Sequence, residues 1–161
     1  MMIRIIADMD ADLLTVVVSD NGRGIPADMV ARVTDPFSTT RTTRKVGLGL
    51  SLLKEACETA GGQLQIDSTP HRKTDVTASF KISSVDRIPL GDVGDTLAGL
   101  ISSYPDLSFS CEFIRRPESE FRLDTQALRE NLGDVSLSDP NVYVFVRDYI
   151  REQQQLILGG I

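Results

Sequence analysis

The sequence contains few of the side chains on which many enzymes depend. Its 161 residues include one histidine, two cysteines and no tryptophan. Because His71 is the one histidine, most hydrolase classes, which rely on a histidine relay, are excluded. Cys57 and Cys111 lie too far apart in the sequence for a metal-binding motif. We therefore expect both cysteines to be reduced, buried thiols.

Long apolar segments and an excess of positive charge are also missing. No apolar run approaches the roughly 18 residues of a membrane span, and the first residues do not form a signal peptide. We therefore expect a cytoplasmic protein with no membrane partner. The net charge of -6 and the pI near 4.7 argue against nucleic acid as a partner. The apolar fraction of 41% is ordinary for a folded globular chain.

The charge is unevenly distributed along the chain. Residues 1–83 contain ten acidic and ten basic side chains, whereas residues 84–161 contain thirteen acidic and seven basic ones. All four lysines also lie in the first part. We therefore place a boundary near residue 83, between a neutral domain of residues 1–83 and an acidic C-terminal extension of residues 84–161.

The first part alternates between strand and helix patterns. β-branched runs at 3–6 and 13–18 flank an acidic turn and predict a hairpin. Apolar residues along one face predict a helix over 47–60, closed by two glycines. Alternating patterns predict strands at 63–67 and 74–82. The part as a whole reads as mixed α and β.

The second part also contains both kinds of pattern. We expect a short helix over 96–101, a hairpin formed by 107–114 and 120–123, and a helix starting after Asp124. Asp139 and Pro140 open a longer helix. This helix carries an apolar stripe of Val142, Phe145, Val146, Tyr149 and Ile150. Such a stripe indicates core packing, with a docking face as the alternative.

The first chemically informative motif is Asp-Asn-Gly-Arg-Gly at residues 20–24. It could be an ordinary turn, since Asn-Gly is a common turn dipeptide. It could also be a ligand site, because an acid at a strand end is followed by glycines that let a flat molecule approach the backbone. In that interpretation Asp20 accepts a hydrogen bond from an exocyclic amine, as adenine presents.

The second motif is Gly-Leu-Gly-Leu at residues 47–50, where a helix begins. Unpaired N–H groups at a helix start attract anions. The preceding loop contains Arg41, Arg44, Lys45 and four threonines, which suits a polyphosphate. A solvated basic loop is the alternative. Neither a dinucleotide-binding fingerprint nor a P-loop fits this segment.

The two motifs, in this order and with Asp35-Pro36-Phe37-Ser38-Thr39-Thr40-Arg41 between them, resemble the ATP-binding domain of histidine kinases. That domain shares a superfamily with gyrase, MutL and the ninety-kilodalton heat-shock chaperone. The resemblance covers residues 1 to about 83. It implies ATP and Mg²⁺ as ligands. It also implies an α/β (α+β) two-layer sandwich, in which helices cover one face of a mixed sheet (the Bergerat-type fold).

The resemblance also assigns roles to individual residues. Asp20 would take the adenine amine, Ile25 would floor the base and Thr74 would help to hold it. Residues 35–46 would form a lid over the phosphates. The complete implied set is Asp20, Asn21, Gly22, Gly24, Ile25, Phe37, Thr40, Arg41, Arg44, Lys45, Gly47, Leu48, Gly49, Leu50 and Thr74. The glycine that usually precedes the threonine is replaced by Lys73.

One expected element is missing from the sequence. The family places a helix before the first hairpin, with an asparagine that binds Mg²⁺ and often an acid that serves as general base. The resemblance therefore implies a chain with no protein ligand for Mg²⁺, no assigned catalytic residue and an exposed apolar sheet face. We expect an N-terminal truncation, with cover from another subunit or a degenerate site as alternatives. The open face also makes a homodimer possible.

Three functions are compatible with these features. The chain looks similar to small stand-alone ATP-binding proteins, and the favoured function is ATP-binding, histidine-kinase-like signalling. Because we expect His71 in a surface turn, any phosphotransfer would act in trans on a protein partner. A non-catalytic nucleotide sensor or scaffold, whose extension binds a partner, is the alternative. A gyrase- or MutL-like ATPase is least favoured, since the chain has no transducer domain.

Overall fold

The computed structural model describes residues 1–30, 32–35 and 48–161. The predicted N-terminal hairpin is confirmed, with strand β1 at Met2–Asp8 and strand β2 at Leu13–Asp20. Its turn is tied to the end of the first part of the chain, because Asp12 accepts hydrogen bonds from the N–H (2.9 Å) and hydroxyl (2.6 Å) of Ser83. These two bonds lower the pKa of Asp12 below its ordinary value.

The rest of the first part follows the predicted patterns. Helix α1 is a single turn at Ala27–Val30, and helix α2 spans Gly49–Thr59. Strands β3, at Leu64–Thr69, and β4, at Lys73–Lys81, form a second hairpin. The packed face of α2 is narrower than its apolar pattern predicted, because Leu52 lies on the flank of the helix and is exposed.

The second part supplies two strands and three helices to the fold described. Helix α3 spans Val93–Ser103, strands β5 and β6 span Ser110–Arg116 and Ser119–Asp124, and helix α4 follows at Thr125–Leu132. Helix α5 runs from Pro140 to Leu158. Helices α3, α4 and α5 begin at aspartates whose side chains accept a backbone N–H, which explains where they start. These aspartates are Asp92, Asp124 and Asp139.

The six strands form one mixed sheet in the order β3-β4-β2-β1-β5-β6. The pairing of β1 with β5 is parallel, and each of the other pairs is antiparallel. Since Ile5 lies opposite Phe113 in this parallel pair, the sheet continues across the boundary predicted near residue 83. The boundary itself stays a prediction.

The two faces of the sheet differ in polarity. The inner face carries Leu14, Val16 and Val18 of β2, and the helices pack against it. The outer face carries charged side chains instead, and there Glu112 of β5 pairs with Arg4 (2.6 Å) and Arg122 (3.8 Å). This arrangement confirms the predicted two-layer fold, with a mixed sheet and helices on one face.

The apolar stripe of α5 is divided between core and surface. Val142, Val146 and Ile150 are buried as predicted. Phe145 and Tyr149 were also expected in the core, but both are exposed, because they lie on the flank of α5 that faces away from α3. Their rings stack on each other with centroids 6.0 Å apart.

Candidate functional site

The candidate nucleotide site lies where β2 ends beside the start of β4. Asp20 is the last residue of β2, and the register places it opposite Thr74 of β4. By strand alternation, both side chains lie on the inner face, in line with Val18 and Val76. Thr74 is buried, with 7% of its surface exposed. The structure therefore brings together the two residues predicted to hold the base.

The glycine loop that follows β2 is fixed by close contacts. Asp20 Oδ1 accepts a hydrogen bond from the Gly22 N–H at 2.8 Å. Gly24 has a φ of 65°, and a Cβ there would lie 2.3 Å from the Thr69 carbonyl oxygen. Only glycine fits this position, because both the conformation and the contact exclude a side chain. The loop is thus seated on the turn of the β3–β4 hairpin.

Ser68 is the contact residue that the sequence motifs missed. Its hydroxyl accepts the Ile25 N–H at 2.8 Å and lies 3.0 Å from Thr74 Oγ1. It also donates to the Lys73 carbonyl at 3.0 Å. Ser68 therefore joins the glycine loop to the threonine predicted to hold adenine. The signal in the sequence was a polar residue at an inward position of β3, after Leu64 and Ile66.

An apolar groove runs along the inner face from the strand ends. It has a volume of about 280 Å³ and is bounded by the sheet, by α2 and by the connection to α3. Its lining includes Val18, Val76, Leu53, Ala56 and Leu90. Asp20 and Thr74 do not line this groove; they lie one position beyond its Val18 and Val76 in strand alternation, at the end of the same face. Ile25, predicted to floor the base, is half-buried next to this end of the sheet.

The start of α2 supplies further backbone donors. Leu48 precedes the helix and makes no side-chain cap, and the first intrahelical bond runs from the Leu52 N–H to the Leu48 carbonyl at 2.9 Å. The N–H groups of Gly49 and Leu50 therefore have no intrahelical acceptor. Gly49 is exposed, and a Cβ there would meet no atom within 4 Å.

The remaining predicted residues either lie outside the described part of the chain or are exposed. Phe37, Thr40, Arg41, Arg44, Lys45 and Gly47 lie outside the described residues. Asn21 and Gly22 are exposed. Asn21 also lines a second cavity of about 370 Å³ at the strand ends, together with Asp20, Lys73 and Asp75.

His71 occupies the turn between β3 and β4, as predicted. It is exposed and has a φ of 58°, and its N–H donates to the Arg23 carbonyl at 2.7 Å. This bond is a second tie between the hairpin turn and the glycine loop. The imidazole thus belongs to a surface turn.

The described residues match the purine end of ATP better than the end that binds Mg²⁺. A carboxylate, a buried hydroxyl and an apolar groove match the edge and the faces of a purine. For Mg²⁺ the described residues give no comparable match, since they contain no group of three or more His, Cys, Asp or Glu side chains that could hold a metal ion. The absence of a protein ligand for Mg²⁺ stays a prediction.

A two-layer sandwich with a carboxylate and a glycine loop at the end of a central strand is the arrangement expected of a nucleotide-binding domain. Residues 1–84 match the family model of histidine kinase-, DNA gyrase B- and HSP90-like ATPases. The chain belongs to this family, and its first part is an ATP-binding domain of the histidine-kinase type.

Curated histidine kinases are similar to the same part of the chain. Sensory histidine kinase/phosphatase NtrB of Rhizobium leguminosarum bv. phaseoli is 44% identical over 57 residues, which is 35% of this chain and 15% of NtrB. Sensor kinase CckA of Brucella abortus is 38% identical over 74 residues, 45% of this chain and 7% of CckA. A putative sensor histidine kinase NtrY-like protein of Rickettsia conorii is 27% identical over 84 residues, 52% of this chain and 14% of that protein.

Each match covers only part of this chain and a small part of the related protein. The chain covers only 7% to 15% of the length of these three relatives. Their names therefore describe much longer proteins. Among the described residues, no helix is long and apolar enough to cross a membrane.

Proposed function

We propose that this chain binds ATP at the inner-face site and acts as a histidine-kinase-like signalling protein on a partner in trans. The observation that carries the proposal is the pairing of Asp20 with buried Thr74 at the end of the sheet face on which the apolar groove lies. In this arrangement the purine lies in the groove, with its edge toward the carboxylate. Ser68 and Gly24 hold the loop that positions Asp20.

The carboxylate gives the site its preference among bases. An ionised carboxylate only accepts hydrogen bonds, and one oxygen of Asp20 already accepts the Gly22 N–H. Its remaining capacity suits the exocyclic amine of adenine. Guanine presents a carbonyl oxygen at the same position, which would face the carboxylate without a proton. The site should therefore bind ATP more tightly than GTP.

The phosphates are assigned to the other end of the site. The N–H groups at the start of α2 supply donors, and the helix dipole favours an anion there. The cations predicted to contact the phosphates are Arg41, Arg44 and Lys45, together with Phe37, Thr40 and Gly47 of the same segment. Their roles come from the family resemblance.

The position of His71 supports the proposal of action in trans. His71 lies in an exposed turn, so its place matches a surface residue better than a phosphoacceptor on a separate helical hairpin. We therefore propose that the phosphorylated histidine belongs to a partner protein. The existence of such a partner is likewise a proposal.

The direct test is nucleotide binding by the Asp20→Asn variant of the full chain. Replacing a carboxylate by an amide removes a charge-assisted acceptor and should weaken ATP binding by about 10- to 100-fold. Isothermal titration calorimetry with ATP, ADP and GTP measures this change, with Mg²⁺ in the buffer. ADP should follow ATP, since both carry adenine.

The matched control is Asp67→Asn. Asp67 is an exposed aspartate of β3 and lies on the outer face, so the same chemical change should leave binding unaltered. Equal ATP affinity in the Asp20→Asn variant and the natural chain would refute the adenine assignment. A natural chain that binds ATP and GTP equally would refute it as well.

A nucleotide sensor without catalysis is the second candidate function. It is favoured by the continuity of the sheet, because β1 pairs with both β2, which carries Asp20, and β5 of the extension. A change at the nucleotide site could reach the extension through this strand. The two functions differ in one measurement: a sensor shows nucleotide-dependent partner association but no phosphate release or transfer from radiolabelled ATP.

A further inference from the structure

The sheet ends at β6, whose outer edge has no strand partner within the described part of the chain. The Thr125 N–H donates to the Phe109 carbonyl at 2.9 Å, which makes these two residues a hydrogen-bonded pair at the end of the β5–β6 ladder. Such pairs alternate along an antiparallel ladder. The N–H and C=O groups of Glu120 and Arg122 therefore point outward, away from β5.

This edge has only part of the usual protection against pairing, because its two exposed charges are of opposite sign. Edge strands are commonly blunted by lysine or proline, and Ser119–Asp124 contains neither. The side chains of Glu120 and Arg122 are exposed on the outer face. On the inner face, Phe121 and Leu123 are buried beneath α5. Strand β6 is therefore amphipathic, with charged side chains on one face and buried apolar side chains on the other.

The flank of α5 beside this edge is apolar and exposed. Phe145, Tyr149 and Leu156 share one side of the helix by α-helical spacing, with 58%, 38% and 69% of their surfaces exposed. We call these three residues the α5 flank. It lies on the β6 side, because the Tyr149 ring contacts Phe121 at a centroid distance of 5.5 Å. The opposite side of α5 is bound to α3, where Arg151 pairs with Asp92.

We propose that β6 and the α5 flank form a homodimer interface, in which a second copy of this chain adds its β6 antiparallel to the first. The two copies are related by a two-fold axis perpendicular to the sheet, which places Phe121 opposite Phe121 of the second copy. The two sheets then join into one of twelve strands (twice the six of one copy). This interface does not depend on the proposed nucleotide function.

Charge favours this register. With Phe121 on the axis, Glu120 lies directly opposite Arg122 of the second copy, and the pair occurs twice. Among the described residues Glu120 has no ion pair within its own chain, so the second copy provides its partner. The same register forms hydrogen-bonded pairs from the outward N–H and C=O groups of these two residues.

The neighbouring registers are unfavourable. With Arg122 on the axis, two arginines meet each other and Glu120 meets Asp124. With Glu120 on the axis, two glutamates meet and fewer residues of Ser119–Asp124 can pair. Like charges directly opposite each other destabilise a sheet. With Leu123 on the axis, Arg122 would meet Asp124, but the Asp124 carboxylate already caps α4 and only residues 122–124 of the strand would pair. The register centred on Phe121 combines opposite charges with the longer paired segment, residues 119–123.

The helices are compatible with this pairing. Both copies of α5 lie on the same side of the joined sheet, because the two-fold axis is perpendicular to it. Strands are about 4.8 Å apart, so a helix above β5 and β6 and its symmetry mate would be roughly 10–14 Å apart. Two rows of aromatic side chains can fill that gap. The exposed faces of Phe145 and Tyr149 would be covered there, next to the paired Phe121 rings.

Reversing the charge of Glu120 or of Arg122 in the full chain tests the proposal. The natural chain, of 17.7 kDa, should sediment as a dimer at micromolar concentration. Glu120→Arg places two arginines opposite each other, and Arg122→Glu places two glutamates opposite each other. Each variant alone should show dimerisation weakened by at least about 10-fold in analytical ultracentrifugation.

The decisive sample is an equimolar mixture of the two variants. One chain then carries two arginines and the other two glutamates, so both cross-strand pairs are again attractive and a heterodimer should form. Glu130→Arg is the control, because it makes the same change in charge at an exposed residue of α4. Circular dichroism verifies that the variants are folded, and recovery in the mixture shows that neither has lost its fold.

Three outcomes overturn the proposal. A natural chain that stays monomeric throughout the micromolar to millimolar range has no such interface. Variants that dimerise as tightly as the natural chain place any dimer elsewhere. A mixture that fails to dimerise, while each variant alone is weakened and folded, excludes the register centred on Phe121. Pairing of β6 with an unrelated protein would give the first of these results.

Discussion

The two thiols illustrate how residue environment sets chemical behaviour. Cys57 and Cys111 are both buried and free. Burial in apolar surroundings disfavours a thiolate, and it raises the pKa of both thiols. For Cys111 the pKa rises to about 12, with the neighbouring Glu112 charge as a smaller contribution. Both thiols should therefore be unreactive in the folded protein.

A pH dependence of stability follows from Cys111. The unfolded thiol ionises near pH 9, whereas the folded thiol stays protonated to about pH 12. The stability contribution of the protonated thiol is therefore complete below pH 9 and is lost as the pH rises toward 12. The expected slope in this window approaches about 1.4 kcal/mol per pH unit. Urea unfolding at a series of alkaline pH values measures it.

The Cys111→Ala variant serves as the control for that experiment. It lacks the titrating thiol, so its free energy of unfolding should fall less steeply above pH 9 than that of the natural chain. All other ionisable groups are the same in both proteins, so their contributions cancel in the comparison. Equal slopes would contradict the assignment, as would rapid reaction of Cys111 with a thiol reagent at pH 8.

At the scale of elements, the packing of α3 against α5 depends on one glycine. A Cβ at Gly94 would lie 2.5 Å from the Arg147 carbonyl oxygen of α5, which is a backbone atom. At Gly99, on the same helix, a Cβ would meet no atom within 4 Å. The two helices therefore approach closely at the first position and leave space at the second.

This contrast predicts opposite effects for the same substitution. Gly94→Ala should destabilise the protein by about 1–3 kcal/mol, because α3 and α5 must move apart. Gly99→Ala should stabilise it by about 0.5–1 kcal/mol, because alanine favours the helix over glycine. Urea unfolding of both variants measures the difference. A Gly94→Ala variant as stable as the natural chain would show that the helices separate at no cost.

At the scale of the whole molecule, the two parts of the chain share one sheet and one core. Ile5, Ala7 and Leu14 of the first part belong to the same buried cluster as Leu97 and Phe113 of the second. The pairing of β1 with β5 joins the parts through the middle of the sheet. Neither part alone would bury these side chains.

We therefore predict that the chain unfolds as a single cooperative unit. A fragment of residues 1–84 should show no cooperative thermal transition, because the β1 edge and its apolar side chains are exposed. Mixing it with a fragment of residues 85–161 should restore the transition seen by circular dichroism. The break falls at Val85, which is 96% exposed, so cutting there removes little packing. Independent melting of the first fragment would contradict this view.

Much of the fold follows from local patterns in the sequence. β-branched runs around an acidic turn predicted the first hairpin, alternation predicted strands β3 and β4, and aspartates at helix starts predicted α4 and α5. The positions of Asp20 and Thr74 at strand ends could be predicted too, because motif and register lie within short segments. Ser68 could not be assigned to the site, since its contacts depend on how the glycine loop folds onto the hairpin.

By itself, the sequence determined the kind of element at most of the described places and the family, and it predicted the residues of the nucleotide site. Short-range periodicity, caps and glycine motifs encode these features. Only the tertiary structure decided that β5 joins β1, which flank of α5 is exposed and which strand ends the sheet. These features arise from contacts between residues about a hundred positions apart, and no local pattern records such pairings.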